Sequence, residues 1–359
     1  MLKPHLLIIS ILNIILIVCM CFPLSSSYLL THAQKASVAE SNVTASGVKL
    51  YQQGNFNQAV EVLRRAVKQR KDDAEAWLYL GLVLNRKENA KEARKAFERA
   101  VKLRPDSTIA HIGLAYTLLL LNKNLEANRS AEQVLQLDAR NYEAHYIAGV
   151  VRLRNGQYEE ALKRAESAIK LNDKYALAYL LKSQALIGIA ASPLNTAMMR
   201  QGVSSDELRQ VNSAAYENYK QAAESLENYL RLSPNVNNAD EVREQLENIR
   251  IYGRSGETVQ PERTLFRSTE VTTKAVVISK PEPPYTEAAR QACVSGIVRL
   301  RAVLSSDSTV KHILVIKPLS HGLTEQAIRA ARRVKFTPAS KDGRPVSQYV
   351  VLEYSFRCG

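Results

Sequence analysis

The sequence predicts a multidomain chain: a long all-α array of paired helices, then a small α+β module with an antiparallel three-stranded sheet and two helices. Three observations carry this. Residue types recur with a period of roughly thirty-four positions through the first two thirds of the chain. Strand-like alternation is almost absent until about residue 275 and then appears repeatedly. A polar stretch rich in Gly, Ser and Thr, from Gly253 to Lys274, separates the two regimes and reads as a linker.

The chain has 359 residues, enough for two or three domains, and 46% of them are hydrophobic, which places it among globular proteins. The formal net charge of +14 suits an anionic partner such as a membrane surface or an acidic glycan. It equally suits a solvated basic surface, because the excess is spread along the chain with no long Lys/Arg run. At the N-terminus Lys3 precedes the apolar run "LLIISILNIILIVCMCF", and "THA" ends at Ala33. Residues 1–33 therefore read as a cleaved export signal or as a retained membrane anchor. In both cases the rest of the chain is expected to be exported to the periplasm, soluble or anchored to the inner membrane by this segment. Cys19 and Cys21 lie in the apolar run, leaving Cys293 and Cys358 as the thiols of a chain cut after Ala33.

In the array, the clearest repeat is "AEAWLYLGLVLNRKENAKEARKAFERAVKLRPD", Ala74 to Asp106. Trp77, Leu80, Gly81 and Leu84 fall on one face of a first helix, and Ala93, Phe97 and Ala100 on one face of a second that Pro105 stops. Gly81 and Ala93 are small where the two helices cross. The spacing recurs upstream at Gly47, Gly54, Ala59, Leu63 and Ala66. Downstream it recurs at Leu114, Ala115, Ala127, Ala131 and Val134, then at Gly149, Gly156, Ala161, Ala165 and Ala168. A fifth copy opens at Ala176 with Tyr179 and Leu186. An insertion near 190–214 is expected to delay its second helix, which resumes at Ala222, and "NADEVREQLENIRIYG" reads as a capping helix. This pattern, from Glu40 to Tyr252, resembles the tetratricopeptide repeat (TPR). The resemblance implies a right-handed superhelix whose first helices line a concave peptide groove. The groove positions are Leu78, Leu82, Ile112, Tyr116, Tyr146 and Val150, an apolar and aromatic wall. His111 and His145 take the place of Trp77 in their own copies and read as packing residues, since no carboxylate or cysteine accompanies both at ligand spacing.

The tail is legible element by element. "KAVVISKPEPPY" is a short extended piece ended by prolines, and "TEAARQAC" gives one or two helical turns. "GIVRLRAVLS" and "VKHILVIKPL" are two strands joined by the turn "SDST". "LTEQAIRAARRVKF" is an amphipathic helix, with Ala327, Ala331 and Val334 inward and Arg329, Arg332 and Arg333 outward. "SQYVVLEYSF" is a last strand with Val350, Leu352, Tyr354 and Phe356 on one face. The order of elements resembles the C-terminal domain of TonB-type energy transducers. So do Pro284-Tyr285, Ala288-Ala289-Arg290, Gly296-Ile297-Val298, Ser320-His321-Gly322-Leu323, Lys335-Phe336-Thr337-Pro338-Ala339 and Asp342-Gly343-Arg344-Pro345-Val346. Thr286 stands where the family usually has Pro. A Pro-rich stalk is missing, and His5 does not match the family's anchor-helix histidine.

The resemblance implies a domain, residues 275–359, that binds a partner by adding a strand to its sheet edge. The last strand, Gln348, Tyr349, Val350, Val351, Leu352, Glu353 and Tyr354, is the expected docking edge, with Tyr349, Val351 and Glu353 facing outward. In the family's fold the first long strand and the last run antiparallel as neighbours, which would bring Cys293 and Cys358 together for a disulfide in an oxidising compartment. No catalytic constellation, metal-ligand set, cofactor motif or nucleic-acid platform is present in the sequence. The expected function is a non-enzymatic envelope adaptor with protein or peptide partners, one in the repeat groove and one at the sheet. The rival readings are an energy transducer serving an outer-membrane transporter, and a basic envelope protein that binds anionic glycan or lipid.

Overall fold

The computed structural model describes residues 43–199, 205–254, 265–266, 268 and 270–358. The expected signal or anchor, and much of the expected linker, lie outside them. The chain divides into two compact units, residues 1–110 and 111–359.

The first unit contains α1 (residues 43–52), α2 (Phe56–Gln69), α3 (Ala74–Arg86) and α4 (Ala90–Leu103), and it ends just inside α5 (Thr108–Leu120). Asp73 and Asn89 start α3 and α4 by accepting hydrogen bonds from the amides of Ala76 and Glu92, which would otherwise have no intrahelical partner. Asp73 is itself held by Arg70 and by the Thr44 hydroxyl at 2.8 Å, so one cap ties three elements together. The α3–α4 crossing depends on Gly81: a Cβ there would lie 2.8 Å from the ring of Phe97, which is fully buried. Trp77 does not share that interior. It is half-buried, and its indole N–H donates to the Lys71 carbonyl at 3.0 Å, closing the turn before α3. Because Phe97 has nowhere to go, Gly81→Ala is expected to cost about 1–3 kcal/mol by overpacking. The measure is a lower denaturant midpoint of the helical signal with an unchanged slope.

The second unit continues with α6 (Asn124–Leu137), α7 (Tyr142–Arg154), α8 (Tyr158–Leu171), α9 (Ala176–Met199), α10 (Ser205–Leu232) and α11 (Ala239–Arg254). The expected insertion near 190–214 does not delay the fifth pair's second helix. It lengthens both members, to 24 residues in α9 and 28 in α10. The physical reason is visible in the sequence: "AASPLNTAMM" and "SDELRQVNSAAYENYK" hold no glycine and only one proline, Pro193, so helix propagation continues on each side.

After β1 (Leu265–Phe266) and β2 (Val276–Ser279) come α12 (Glu287–Gln291), β3 (Gly296–Leu304), β4 (Val310–Lys317), α13 (Leu323–Ala331), β5 (Lys335–Thr337), β6 (Ala339–Lys341) and β7 (Arg344–Phe356). The expected three antiparallel strands are β7, β3 and β4 in that order. Two further short strands join them, β1 pairing parallel and β6 antiparallel with β7, while β2 and β5 form a separate two-stranded sheet. One face of the main sheet packs on α13 around Val298, Leu300, Leu323, Ala327, Leu352, Tyr354 and Phe356, as the alternation requires. Thr286, in place of the family's proline, is the N-cap of α12. Its Oγ1 accepts from the Ala289 amide at 3.1 Å, and the hydroxyl donates to the His321 carbonyl at 2.6 Å.

Cys293 lies just before β3 and Cys358 just after β7, where the register sets Gly296 opposite Phe356. They form a disulfide with Cα atoms 5.2 Å apart, across 65 residues of sequence. Closing a loop of that length restricts the unfolded chain and is worth roughly 2–4 kcal/mol. Denatured, unreduced protein should therefore show no free thiol at these positions. The Cys293→Ser/Cys358→Ser double variant should melt its C-terminal domain at a lower temperature by a comparable free energy.

Candidate strand-docking edge and the face that fixes it

β7 pairs with β3 from Gln348 to Phe356. β1 takes its other edge over Ser347–Gln348, and β6 pairs with β7 over Arg344–Val346. From Tyr349 to Phe356 that outer edge carries no strand among the described residues. Lys280 partly covers it: its Nζ donates to the Glu353 carbonyl at 2.9 Å and stands 5.0 Å from the centre of the Tyr354 ring. Glu353 also pairs with Arg299 across the ladder at 2.6 Å, an exposed pair of modest energetic weight.

Of the seven expected docking residues, Leu352 and Tyr354 point into the core with Val350 packed beside them, while Val351 and Glu353 lie on the other face. Burial pushes the Tyr354 phenol up to about 12. Gln348 is buried, and its Oε1 accepts from the Ala275 amide at 2.8 Å. Tyr349 is not open to solvent as the alternation alone suggests. Its ring lies 5.6 Å from that of Tyr252 on α11, because the helices of this unit cover that end of the sheet. The open part of the edge is therefore narrower than the expected segment.

The covering face is built by α11. Gln245, Asn248 and Tyr252, spaced to share one side of the helix, read the outer edge of β4. The Gln245 amide donates to the Ile313 carbonyl at 3.0 Å and accepts from the Val315 amide at 3.0 Å. Asn248 donates to the same carbonyl at 2.8 Å, and the Tyr252 hydroxyl donates to the His312 carbonyl at 2.8 Å. These side chains stand where a neighbouring strand would, β4 having none on that side among the described residues. Behind them, Arg301 of β3 is 5% exposed. Its guanidinium donates to the Tyr219 hydroxyl at 3.1 Å and lies 5.4 Å from the ring centres of both Tyr252 and Tyr349. Arg332 adds an ion pair to Glu244 at 2.7 Å, and His321 Nε2 lies 2.9 Å from the Leu120 carbonyl. Beside this contact a cleft of about 610 Å³ opens between α9, α11, β4 and α13. Sequence reasoning did not single out Gln245, Asn248, Tyr252, Tyr219 or Arg301. The one available signal was Arg301, a charge at mid-strand opposite the core face.

The expected groove residues separate. Leu78 and Leu82 lie in the first unit, half-buried. In the second, Ile112 is buried and Val150 packs against the Leu153–Ala161–Leu181 cluster. Tyr116 and Tyr146 form an aromatic cluster with Tyr142 and Tyr175. Their rings are 6.2 Å apart, Tyr175 lies 5.4 Å from Tyr146, and the hydroxyls of Tyr116 and Tyr175 are hydrogen-bonded. Burial pushes the Tyr146 phenol up to about 12 and that of Tyr116 higher. These rings serve the interior of the array as much as any groove surface. His145 accepts a packing role, with Nε2 3.1 Å from the Ala139 carbonyl. Among the described residues no group of three His, Cys, Asp or Glu could hold a metal ion, and no helix is long and apolar enough to cross a membrane.

Comparison with known proteins gives two domain matches. The profile of the cytochrome c-type biogenesis protein H TPR domain matches residues 39–175, and that of the Gram-negative bacterial TonB protein C-terminal domain matches residues 281–358. No curated protein matches the chain. Among solved structures, a MamA protein is 18% identical over 54% of this chain and 95% of its own, with a TM-score of 0.42. YrrB, described as a TPR protein with an unusual peptide-binding site, is 18% identical over 56% of this chain and 90% of its own, with a TM-score of 0.40. A MamA from Desulfovibrio magneticus RS-1 gives 17%, 55%, 97% and 0.40. Likeness at that level carries no inference for this chain.

If α11 holds β4 through side-chain amides, removing them should loosen the contact without touching the sheet core. Gln245→Ala/Asn248→Ala is expected to cost about 1–3 kcal/mol, because the Ile313 carbonyl and Val315 amide lose their partners. Hydrogen exchange at Val315 should rise accordingly while exchange at Leu300 and Leu352 stays as in the parent.

Proposed function

We propose that this chain, a TPR array closed by a TonB-type C-terminal domain, is a non-enzymatic adaptor of the cell envelope that receives an extended segment of a protein partner on the outer edge of β7. Both domain types are interaction folds; the matches cover residues 39–175 of the array and residues 281–358, which include β3, β4 and β7. The observation that carries the reading is the β1–β7 pairing. A two-residue strand already adds in parallel to this edge at Ser347–Gln348, and pairing stops there, leaving the edge from Tyr349 onward without a strand among the described residues. Strand addition draws its affinity from backbone hydrogen bonds, so the edge needs no special side chains. The TonB-type match favours a segment of an outer-membrane transporter as the partner. The repeat helices would hold the sheet and offer a second partner the wall around Leu78 and Leu82.

The test uses proline. Successive amides of a strand point to opposite edges, so of Val350→Pro and Val351→Pro one removes an amide facing away from β3 and leaves the main ladder intact. The wild-type chain should capture its partner from solubilised envelope membranes and show slowed exchange of amides within 349–356 when it does. The folded proline variant should lose capture by about tenfold or more, roughly 1.4 kcal/mol. Unchanged capture by that variant would falsify edge docking.

A further inference from the structure

We propose that the outer edge of β2 is a second strand-acceptor site, and that it takes an extended segment of β-branched residues flanked by acidic ones. All four residues of β2 are exposed, and three are large aliphatics: Val276 is 57% exposed, Val277 43% and Ile278 70%. β5 occupies one edge of β2, with Val277 opposite Phe336 and Ser279 opposite Lys335. The other edge has no strand among the described residues. An apolar strand open on both faces and along one edge is a template for another strand.

Charge selects the occupant. Lys274 and Lys280 bracket the strand, both exposed, with no acidic residue between them. Arg333 and Lys335 lead into β5 on the other side with no acid between them, whereas Arg332 is already paired with Glu244. Glu282 follows only after Pro281. Lys280 spends a donor on the Glu353 carbonyl but has three to give. A second copy of this chain is disfavoured. Antiparallel pairing centred on Val277 would set Lys274 of each copy opposite Lys280 of the other, and adjacent registers keep them next to each other; like charges across a ladder are destabilising. An incoming strand with acids six positions apart meets both lysines. The β2 edge adjoins the β7 edge through Lys280, which touches the Glu353 carbonyl, but the proposal does not depend on the reading made for β7.

The test uses two synthetic peptides with the full chain: Glu-Val-Thr-Val-Thr-Val-Glu and the same core with lysine at both ends. At low salt the acidic peptide should bind about tenfold or more tighter, shift the amide resonances of Val276–Ser279, and weaken as salt is added. Lys274→Glu/Lys280→Glu should reverse the preference, and the folded β7 proline variant should bind as the parent does. Binding of neither peptide up to millimolar concentration overturns the proposal. So does equal binding of both, a preference that survives the charge reversal, or loss of binding in the β7 variant.

Discussion

The contact on which the rest of the second unit depends is the burial of Arg301 among Tyr219, Tyr252 and Tyr349. A guanidinium removed from water costs several kcal/mol unless the surroundings return that energy. Two ring faces and a phenol oxygen supply part of it, since a desolvated cation over an aromatic face gains about 2 kcal/mol or more. The three tyrosines come from α10, α11 and β7, so the arrangement exists only when the sheet lies against the last helices. Arg301 therefore makes the orientation specific, while Leu314 and Tyr349, packed with Leu246, Ile249 and Tyr252, supply the apolar area.

That orientation decides which sheet edge is left for a partner. An open three-stranded sheet has two edges, and each invites unwanted pairing. Here the β4 edge is read by Gln245, Asn248 and Tyr252, whose amides and hydroxyl take the place of a strand. β7 pairs with β6 and β1 over its first residues, and from Tyr349 onward its outer edge carries no strand among the described residues, only the Lys280 side chain. The capping helix thus does two jobs with one face: it closes the apolar end of the repeats, and it removes the competing edge.

Much of this was legible in the sequence, and the exceptions share a cause. The repeat period, the three long strands and the inward set Val350, Leu352, Tyr354 and Phe356 follow from local periodicity, because each is fixed by which face meets a core. The Cys293–Cys358 pair required the resemblance to a known topology, since spacing alone does not say which strands are neighbours. The α11–β4 contact was not legible. Gln245 and Asn248 are ordinary surface types for a helix, and nothing local says that a strand some 65 to 70 positions later will present its backbone to them. Tyr349 misled for the same reason: alternation places it away from the core, but alternation cannot know that the far face is covered as well.

The same contacts define how the domain would carry load from a strand added to β7. β7 is paired with β3 over nine consecutive residues, and the ends of the two are joined by the Cys293–Cys358 disulfide. A pull along β7 would therefore act in shear on a whole ladder of hydrogen bonds backed by a covalent link, rather than peeling them one at a time. From β3 the load passes through the β3–β4 ladder to the three side chains of α11 and, directly, through Arg301 to α10 and α11. The α11–β4 contact is made by side-chain hydrogen bonds from Gln245, Asn248 and Tyr252. Load reaching that contact is shared with the Arg301 cluster and with the apolar packing of Leu314 and Tyr349 against α11.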